Sequence, residues 1–158
     1  MAGEFLVRSL GGALIKSIIW NGRDYTYTPF DTTGGRDITG IVVTLTDAAN
    51  TAVTGTVREL TGQPAAGAAV IVFPAERTQW SRYGVQPARL RAVAPSTTGV
   101  FTMRPLPAGD YFIIAIDGDS VEQWKDPKWL ERASAVATKF TMAWGGRVTQ
   151  DLVVAQVK

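Results

Sequence analysis

The chain has 158 residues and a formal net charge of +2 at neutral pH, a size that suits one domain with at most a fragment of a second. It contains no histidine and no cysteine, which excludes histidine-based catalytic triads, thiol catalysis, disulfides and the usual zinc sites. The charge is too small to indicate nucleic-acid binding, and no run of about 18 apolar residues is present that could insert into a membrane.

The first fifty residues predict three β-strands, joined by a Thr- and Gly-rich connection. Residues 1–5 are typical of a cloning scar. The strands are predicted at residues 5–9, 14–20 and 41–47. Three strands cannot easily bury two faces by themselves, so we expect them to pack on the rest of the chain or on a second chain. A homodimer formed by strand exchange would supply the missing partner edge.

From about residue 51 onward, alternating apolar residues and turn signals about every ten residues predict an all-β sandwich. Its strands are predicted at residues 53–59, 69–73, 89–94, 101–104, 110–117, 137–142 and 148–154. One segment breaks the pattern. Ser120 can cap a short turn that runs through Trp124, and Asp126-Pro127 is typical of a helix N-cap followed by proline at the first helical position. This predicts one crossover helix that ends near residue 135.

Two groups of motifs carry a family resemblance. They are Gly55-Thr-Val57, Gly62-Gln-Pro64 and Gly67-Ala-Ala-Val70, then Gly99-Val-Phe101, Leu106-Pro107 and Gly109-Asp-Tyr111. In this order the motifs resemble the carboxypeptidase regulatory-like domain, a transthyretin-like (prealbumin-like) seven-stranded sandwich. The resemblance implies that Phe101 and Tyr111 face inward, and that Pro107 and Gly109 build a tight hairpin. Thr98 departs from the family, which usually carries an acidic residue there, so we expect a weaker side-chain cap at that turn.

The resemblance also implies a division of the chain and a role for it. Residues 51–158 correspond to the regulatory-like domain, and residues 6–50 resemble the closing strands of a preceding sandwich repeat. The implied role is a non-catalytic accessory or interaction module of a bacterial envelope or secreted protein, binding carbohydrate or peptide. Because one fold serves many functions, the function of this chain depends on the residues of its candidate sites.

The first candidate site is an aromatic and basic set around the loop at residues 74–88, completed by one tryptophan of the helical segment. Exposed aromatic rings can stack on a sugar, and arginines can hold a carboxylate or phosphate. The predicted ligand-binding residues are Trp80, Tyr83, Arg89 and Trp124, with Arg77, Arg82 and Arg91 nearby. In the alternative interpretation, Trp80 folds back over the sandwich edge as part of the core and the arginines are surface groups.

The second candidate site is an acidic turn after the strand at residues 110–117. Asp117, Asp119, Glu122 and Asp126 are spaced so that their oxygens could wrap a calcium ion. This supports a competing function, a small calcium-dependent hydrolase of an ester, lactone or glycoside in which water attacks a metal-polarised carbonyl. The alternative is a solvated turn whose Asp and Ser side chains cap the following helix.

Overall fold

A computed structural model describes residues 3–9, 13–35, 37–47, 51–81 and 87–157. The described residues of the N-terminal part contain five strands: β1 (Glu4–Phe5), β2 (Leu14–Trp20), β3 (Arg23–Asp24), β4 (Phe30–Asp31) and β5 (Val42–Thr46). β2 lies between β3 and β5 in an antiparallel three-stranded sheet, and β1 pairs with β4. A small aromatic cluster holds these strands together, because the rings of Tyr25 and Phe30 stack at 4.4 Å and Trp20 meets both edge-on.

The remaining strands form two sheets. They are β6 (Ala52–Arg58), β7 (Ala68–Pro74), β8 (Arg91–Val93), β9 (Val100–Met103), β10 (Gly109–Asp117), β11 (Thr138–Met142), β12 (Arg147–Thr149) and β13 (Leu152–Val153). One sheet is antiparallel, in the order β11-β10-β7-β8. In the other, β6 pairs with β9 on one side and runs parallel to β12 and then β13 on the other.

The last strand of the sandwich is interrupted between β12 and β13. Between β12 and β13, the amide of Gln150 donates to the carbonyl of Thr54 at 2.8 Å, and the Asp151 carboxylate accepts from the amide of Thr56 at 2.9 Å. Gly55 permits this close approach, since a Cβ there would lie 1.8 Å from the carbonyl oxygen of Gln150. β12 and β13 therefore count as one strand, and the prediction of a seven-stranded all-β sandwich is confirmed for the described residues.

The main core lies between the two sheets, where alternate residues of each strand face inward. Val53 and Val57 of β6, Phe101 of β9 and Tyr111 and Ile113 of β10 are all buried in this one cluster. The inward orientation predicted for Phe101 and Tyr111 is therefore confirmed. Buried residues alternate with less buried ones along β6 and β9, and this period of two is the pattern that predicts both strands from the sequence.

A second core covers the outer face of the sheet that contains β7. The helix α1 (Pro127–Ser134) presses Trp129, Leu130 and Ala133 against Ile71 and Phe73 of β7. β7 is consequently buried along its whole length, which explains its unbroken apolar sequence. A 3₁₀ helix at Gly118–Lys125 leads into α1, and the prediction of a turn followed by a crossover helix is confirmed.

Several element predictions need correction. The strand expected at residues 5–9 covers only Glu4–Phe5, and β3 and β4 were not predicted because two-residue strands carry no periodic signal. The N-cap of the 3₁₀ helix is Asp117 rather than Ser120, because the Asp117 carboxylate accepts from the amide of Asp119 at 3.1 Å. At the turn before β9, Ser96 takes the capping role: its hydroxyl accepts from the amide of Val100 at 3.2 Å and contacts Thr98.

The predicted origin of residues 6–50 in a preceding repeat, and the strand-exchanged homodimer, stay predictions. The structure does show that β5 carries exposed apolar side chains, namely Val42, Val43 and Leu45. None of the helices in the described residues is both long and apolar enough to span a membrane.

Candidate binding cavity

A cavity of about 210 Å³ lies where the N-terminal strands meet the sandwich. One wall comes from the N-terminal part and the other from the segments that flank β8 and β10. The lining consists of residues 6–9, 13–15, Thr26 and Tyr27 on the first side, and Gln79, Ser81, residues 87–91 and Pro107 on the second. Since the two walls are distant in sequence, the cavity exists only in the folded chain.

Arg89 forms a fixed part of the cavity wall. Its Nε donates to the Tyr111 hydroxyl at 3.0 Å, its Nη1 to Gln79 Oε1 at 2.8 Å and its Nη2 to the carbonyl of Asp110 at 3.1 Å. Gly109 makes room for this arrangement, because a Cβ there would lie 2.3 Å from Nη2, and its φ of +145° favours glycine. An arginine has five N–H donors, so two of them have no acceptor among the described residues and remain for a ligand.

Two tyrosines contact the Arg89 guanidinium. The ring centroid of Tyr27 lies 5.0 Å from its central carbon and that of Tyr111 lies 4.6 Å away. The Tyr111 hydroxyl also donates to the carbonyl of Pro107 at 2.7 Å. Burial raises the pKa of both phenols, against the opposing effect of Arg89, so both stay protonated at neutral pH. The tyrosines therefore act here as neutral packing and hydrogen-bonding groups.

Arg91, the first residue of β8, also lines the cavity and is half-buried. Its Nε is buried and has no hydrogen-bond partner among the described residues. Burial lowers its pKa most, and the positive charges of Arg104 and Arg8 lower it further, but an arginine still keeps its proton at neutral pH. Arg8 lines the opposite wall, so guanidinium groups from both parts of the chain meet at this cavity.

The predicted aromatic platform is not assembled as expected. Trp80 is only 4% exposed, and its Nε1 donates to the carbonyl of Pro74 at 2.7 Å while its ring packs edge-on against Phe73. The prediction that Trp80 offers an exposed stacking face is therefore wrong, and the alternative, that it belongs to the core, describes it. Trp124 is half-buried against the second core, and neither tryptophan lines the cavity. Tyr83 and Arg82 lie outside the described residues.

The acidic turn is organised by its helices. The Asp117 carboxylate caps the 3₁₀ helix, and the Asp126 carboxylate caps α1 by accepting from the amide of Lys128 at 2.9 Å. Asp119 and Glu122 are exposed. In the described part of the chain, no group of three or more acidic side chains lies close enough to hold a metal ion. Calcium binding at this turn stays a prediction.

Arg8 and Tyr27 are two site residues of the N-terminal part that the sequence did not single out. Arg8 lies within a segment predicted as an ordinary strand, and Tyr27 lies in the Thr- and Gly-rich connection. Both join the site only because the N-terminal part packs on the sandwich. No local signal marks such a contact, since the partners in it are far apart in the chain.

No family model matches the chain, and no curated protein matches it in sequence. Among solved structures, the 5-hydroxyisourate hydrolase of Klebsiella pneumoniae is similar at 17% identity and a TM-score of 0.36, covering 66% of this chain and 84% of that one. A Pseudomonas aeruginosa protein named as a candidate carbohydrate-binding protein is similar at 15% identity and a TM-score of 0.35, covering 67% and 88%.

A third similar structure is the major pilin subunit of Bacillus cereus, at 14% identity and a TM-score of 0.34. The match covers 75% of this chain and 32% of the pilin, so the chain spans about a third of its length. All three likenesses are too distant to transfer a residue or an activity. The β-sandwich assignment rests on the strand pairing of this chain, and the narrower resemblance to the carboxypeptidase regulatory-like domain is not established by these matches.

Proposed function

We propose that this chain is a non-catalytic binding module that holds a small carbohydrate-like ligand in the cavity between its N-terminal strands and its sandwich. The observation that carries the proposal is the Arg89 frame, in which three nitrogens of one guanidinium are fixed by protein acceptors at the cavity wall. A donor held in place in this way loses little conformational entropy when a ligand binds.

The composition of the lining supports a small polar ligand with a carbon skeleton. Leu6, Leu14, Ile15 and Leu90 provide apolar surface, and Thr26, Gln79, Ser81 and the arginines provide polar groups. Concave sites with mostly apolar walls and a few converging polar groups are typical of small-molecule binding. A cavity of about 210 Å³ between two walls suits a ligand the size of one sugar ring better than an extended peptide.

Binding without turnover is supported by the chemistry of the same lining. None of its described residues is a carboxylate, and the chain has no histidine or cysteine. Burial raises the pKa of the Tyr27 phenol, so it holds its proton at neutral pH and supplies no general base. The competing hydrolase would have to work from the acidic turn, where the Asp117 and Asp126 carboxylates are already engaged as caps.

The test is chemical-shift mapping by NMR with glucose, N-acetylglucosamine, glucuronate and a blocked alanine tripeptide as probes. We expect at least one sugar to shift amides of the cavity lining, and we expect Ala88→Trp to abolish these shifts because it places a large ring at the lining. Ala66→Trp is the matched control, since Ala66 is exposed and lies outside the lining. The proposal fails if no sugar shifts the lining, or if the shifts persist unchanged in Ala88→Trp.

A further inference from the structure

We propose that the cavity contains a carboxylate subsite centred on Arg91, so that the ligand it takes is a sugar acid or a similar small organic acid. This inference rests on the proposed function, because it assigns the ligand class of the same cavity. Its first support is the buried Nε of Arg91, which has no acceptor among the described residues. Buried donors are nearly always hydrogen-bonded in folded proteins, so an unmatched one at a cavity wall indicates where a ligand acceptor belongs.

The charge distribution supports an anion rather than a neutral acceptor. Arg8, Arg89 and Arg91 all line the cavity, and none of the described lining residues is acidic. Arg91 also experiences the positive charges of Arg8 and Arg104. An anion bound at this point would interact favourably with several guanidinium groups in a partly desolvated place, where Coulomb interactions are stronger than in water.

The geometry of the unmatched Arg91 donor favours a carboxylate. The Nε–H of an arginine and the neighbouring Nη–H are parallel donors in one plane, and they match the two oxygens of a carboxylate. Arg89 cannot present this edge, because its Nε donates to the Tyr111 hydroxyl. The two arginines thus differ: the Nε of Arg89 is engaged in the wall, whereas the buried Nε of Arg91 has no acceptor among the described residues.

The experiment compares pairs of probes that differ only at the acid group: glucuronate against glucose, and benzoate against benzamide. Affinities are measured by NMR titration at constant ionic strength, with glucose 6-phosphate as a further arm. We expect each carboxylate to bind about tenfold or more tightly than its neutral partner, the range expected for a hydrogen bond to a charged group. Glucose 6-phosphate should gain less, because a tetrahedral dianion fits the planar donor edge poorly.

Arg91→Met should remove the preference for the carboxylate in both pairs. Its thermal unfolding temperature without ligand should equal or exceed that of the parent, because the variant removes an unmatched buried donor while keeping an apolar stem. The matched control is Arg147→Met, which removes the same charge from an exposed position on β12 and should leave the preference intact. A preference that survives in Arg91→Met overturns the subsite.

The two proposals fail in distinguishable ways. If the neutral and acidic members of each pair bind the cavity equally, the carboxylate subsite is wrong and the binding cavity stands. If neither member of either pair shifts the lining residues, the subsite is wrong, and the binding cavity fails as well if N-acetylglucosamine also leaves them unshifted. If glucose 6-phosphate binds more tightly than glucuronate and this gain depends on Arg91, the subsite takes phosphate and the assignment to carboxylates is wrong.

Discussion

The guanidinium carbon of Arg89 lies 5.0 Å from the ring centroid of Tyr27, and this contact joins the N-terminal strands to the sandwich. The same guanidinium lies 4.6 Å from the ring of Tyr111 in β10. One cation therefore contacts an aromatic ring from each part of the chain. Cation–π contacts contribute from about 0.5 to about 2 kcal/mol as they become desolvated, so Arg89 helps to hold the two cavity walls together.

Arg89→Met should destabilise the protein. The variant keeps an apolar stem but loses three hydrogen bonds and both aromatic contacts of the cation. We expect the free energy of unfolding in urea to fall by about 2–3 kcal/mol. Arg147→Met, at an exposed position, should change it little. Equal losses in the two variants would show that the Arg89 contacts contribute no net stability.

Gly109→Ala should act through Arg89. A Cβ at position 109 would lie 2.3 Å from Nη2 of Arg89, and the backbone φ of +145° is strained for any other residue. We expect a loss of about 1–3 kcal/mol in the free energy of unfolding. In the Arg89→Met background the clash with the guanidinium is absent, so the same substitution should cost less.

The matched control for Gly109→Ala is Gly67→Ala, because Gly67 has open space around its Cβ direction and no positive φ. It should be close to neutral. If Gly109→Ala costs as much in the Arg89→Met background as in the parent protein, backbone strain alone accounts for its effect, and the close approach to Arg89 contributes nothing.

The sandwich could be predicted from sequence because its strands follow local rules. Alternation in β6 and β9 places Val53, Val57 and Phe101 in the core, and Asp126-Pro127 marks the start of α1. Gly55 was part of the recognised motif, but its physical reason, the close carbonyl of Gln150, is a tertiary contact. Local chemistry thus predicts which elements form, while the folded chain explains why individual glycines are needed.

The site was only partly predictable, for a related reason. Arg89 was singled out as a ligand-binding residue, and the structure places it at the cavity. Trp80 was predicted as a stacking residue, with core packing as the alternative, and the structure places its indole in the core, where it donates to the carbonyl of Pro74 at the end of β7. Tyr27, which contacts Arg89 across the cavity, comes from the connection between β3 and β4, and no sequence period reports how that connection packs on the sandwich.

Asp126→Ala should lower stability by about 1 kcal/mol, the usual cost of losing an N-cap side chain. Its carboxylate accepts from the amide of Lys128 in the first turn of α1. Asp126→Asn should retain most of this stability, because an amide oxygen can accept the same bond. Thermal unfolding measured with calcium and with a chelator separates capping from metal binding. If Asp126 acts as a cap, Asp126→Ala lowers the unfolding temperature by the same amount under both conditions.

If the acidic turn binds calcium, the parent protein should instead unfold at a higher temperature in calcium, and Asp119→Ala should abolish the gain. Asp119→Ala is informative because the Asp119 carboxylate, unlike that of Asp126, caps no helix in the described residues. Calcium-dependent ester or lactone hydrolysis that is lost in Asp119→Ala would favour the competing hydrolase over the binding module.

The stability of the protein in acid should depend on Asp151, which holds the interrupted last strand against β6. Its carboxylate accepts from the hydroxyl of Thr56 at 2.8 Å and from the amide of Thr56 at 2.9 Å, and these bonds hold its pKa below the ordinary value. A depressed folded pKa means that the stabilisation is complete above the unfolded value, about 3.9, and is lost as the pH falls through the folded value.

Urea unfolding measured from about pH 6 down to about pH 2.5 should therefore show a steeper loss of stability in acid in the parent than in Asp151→Asn. Asp37→Asn, which removes the same charge from an exposed position, should keep the steep loss, and an unchanged acid dependence in Asp151→Asn would contradict this role for the carboxylate.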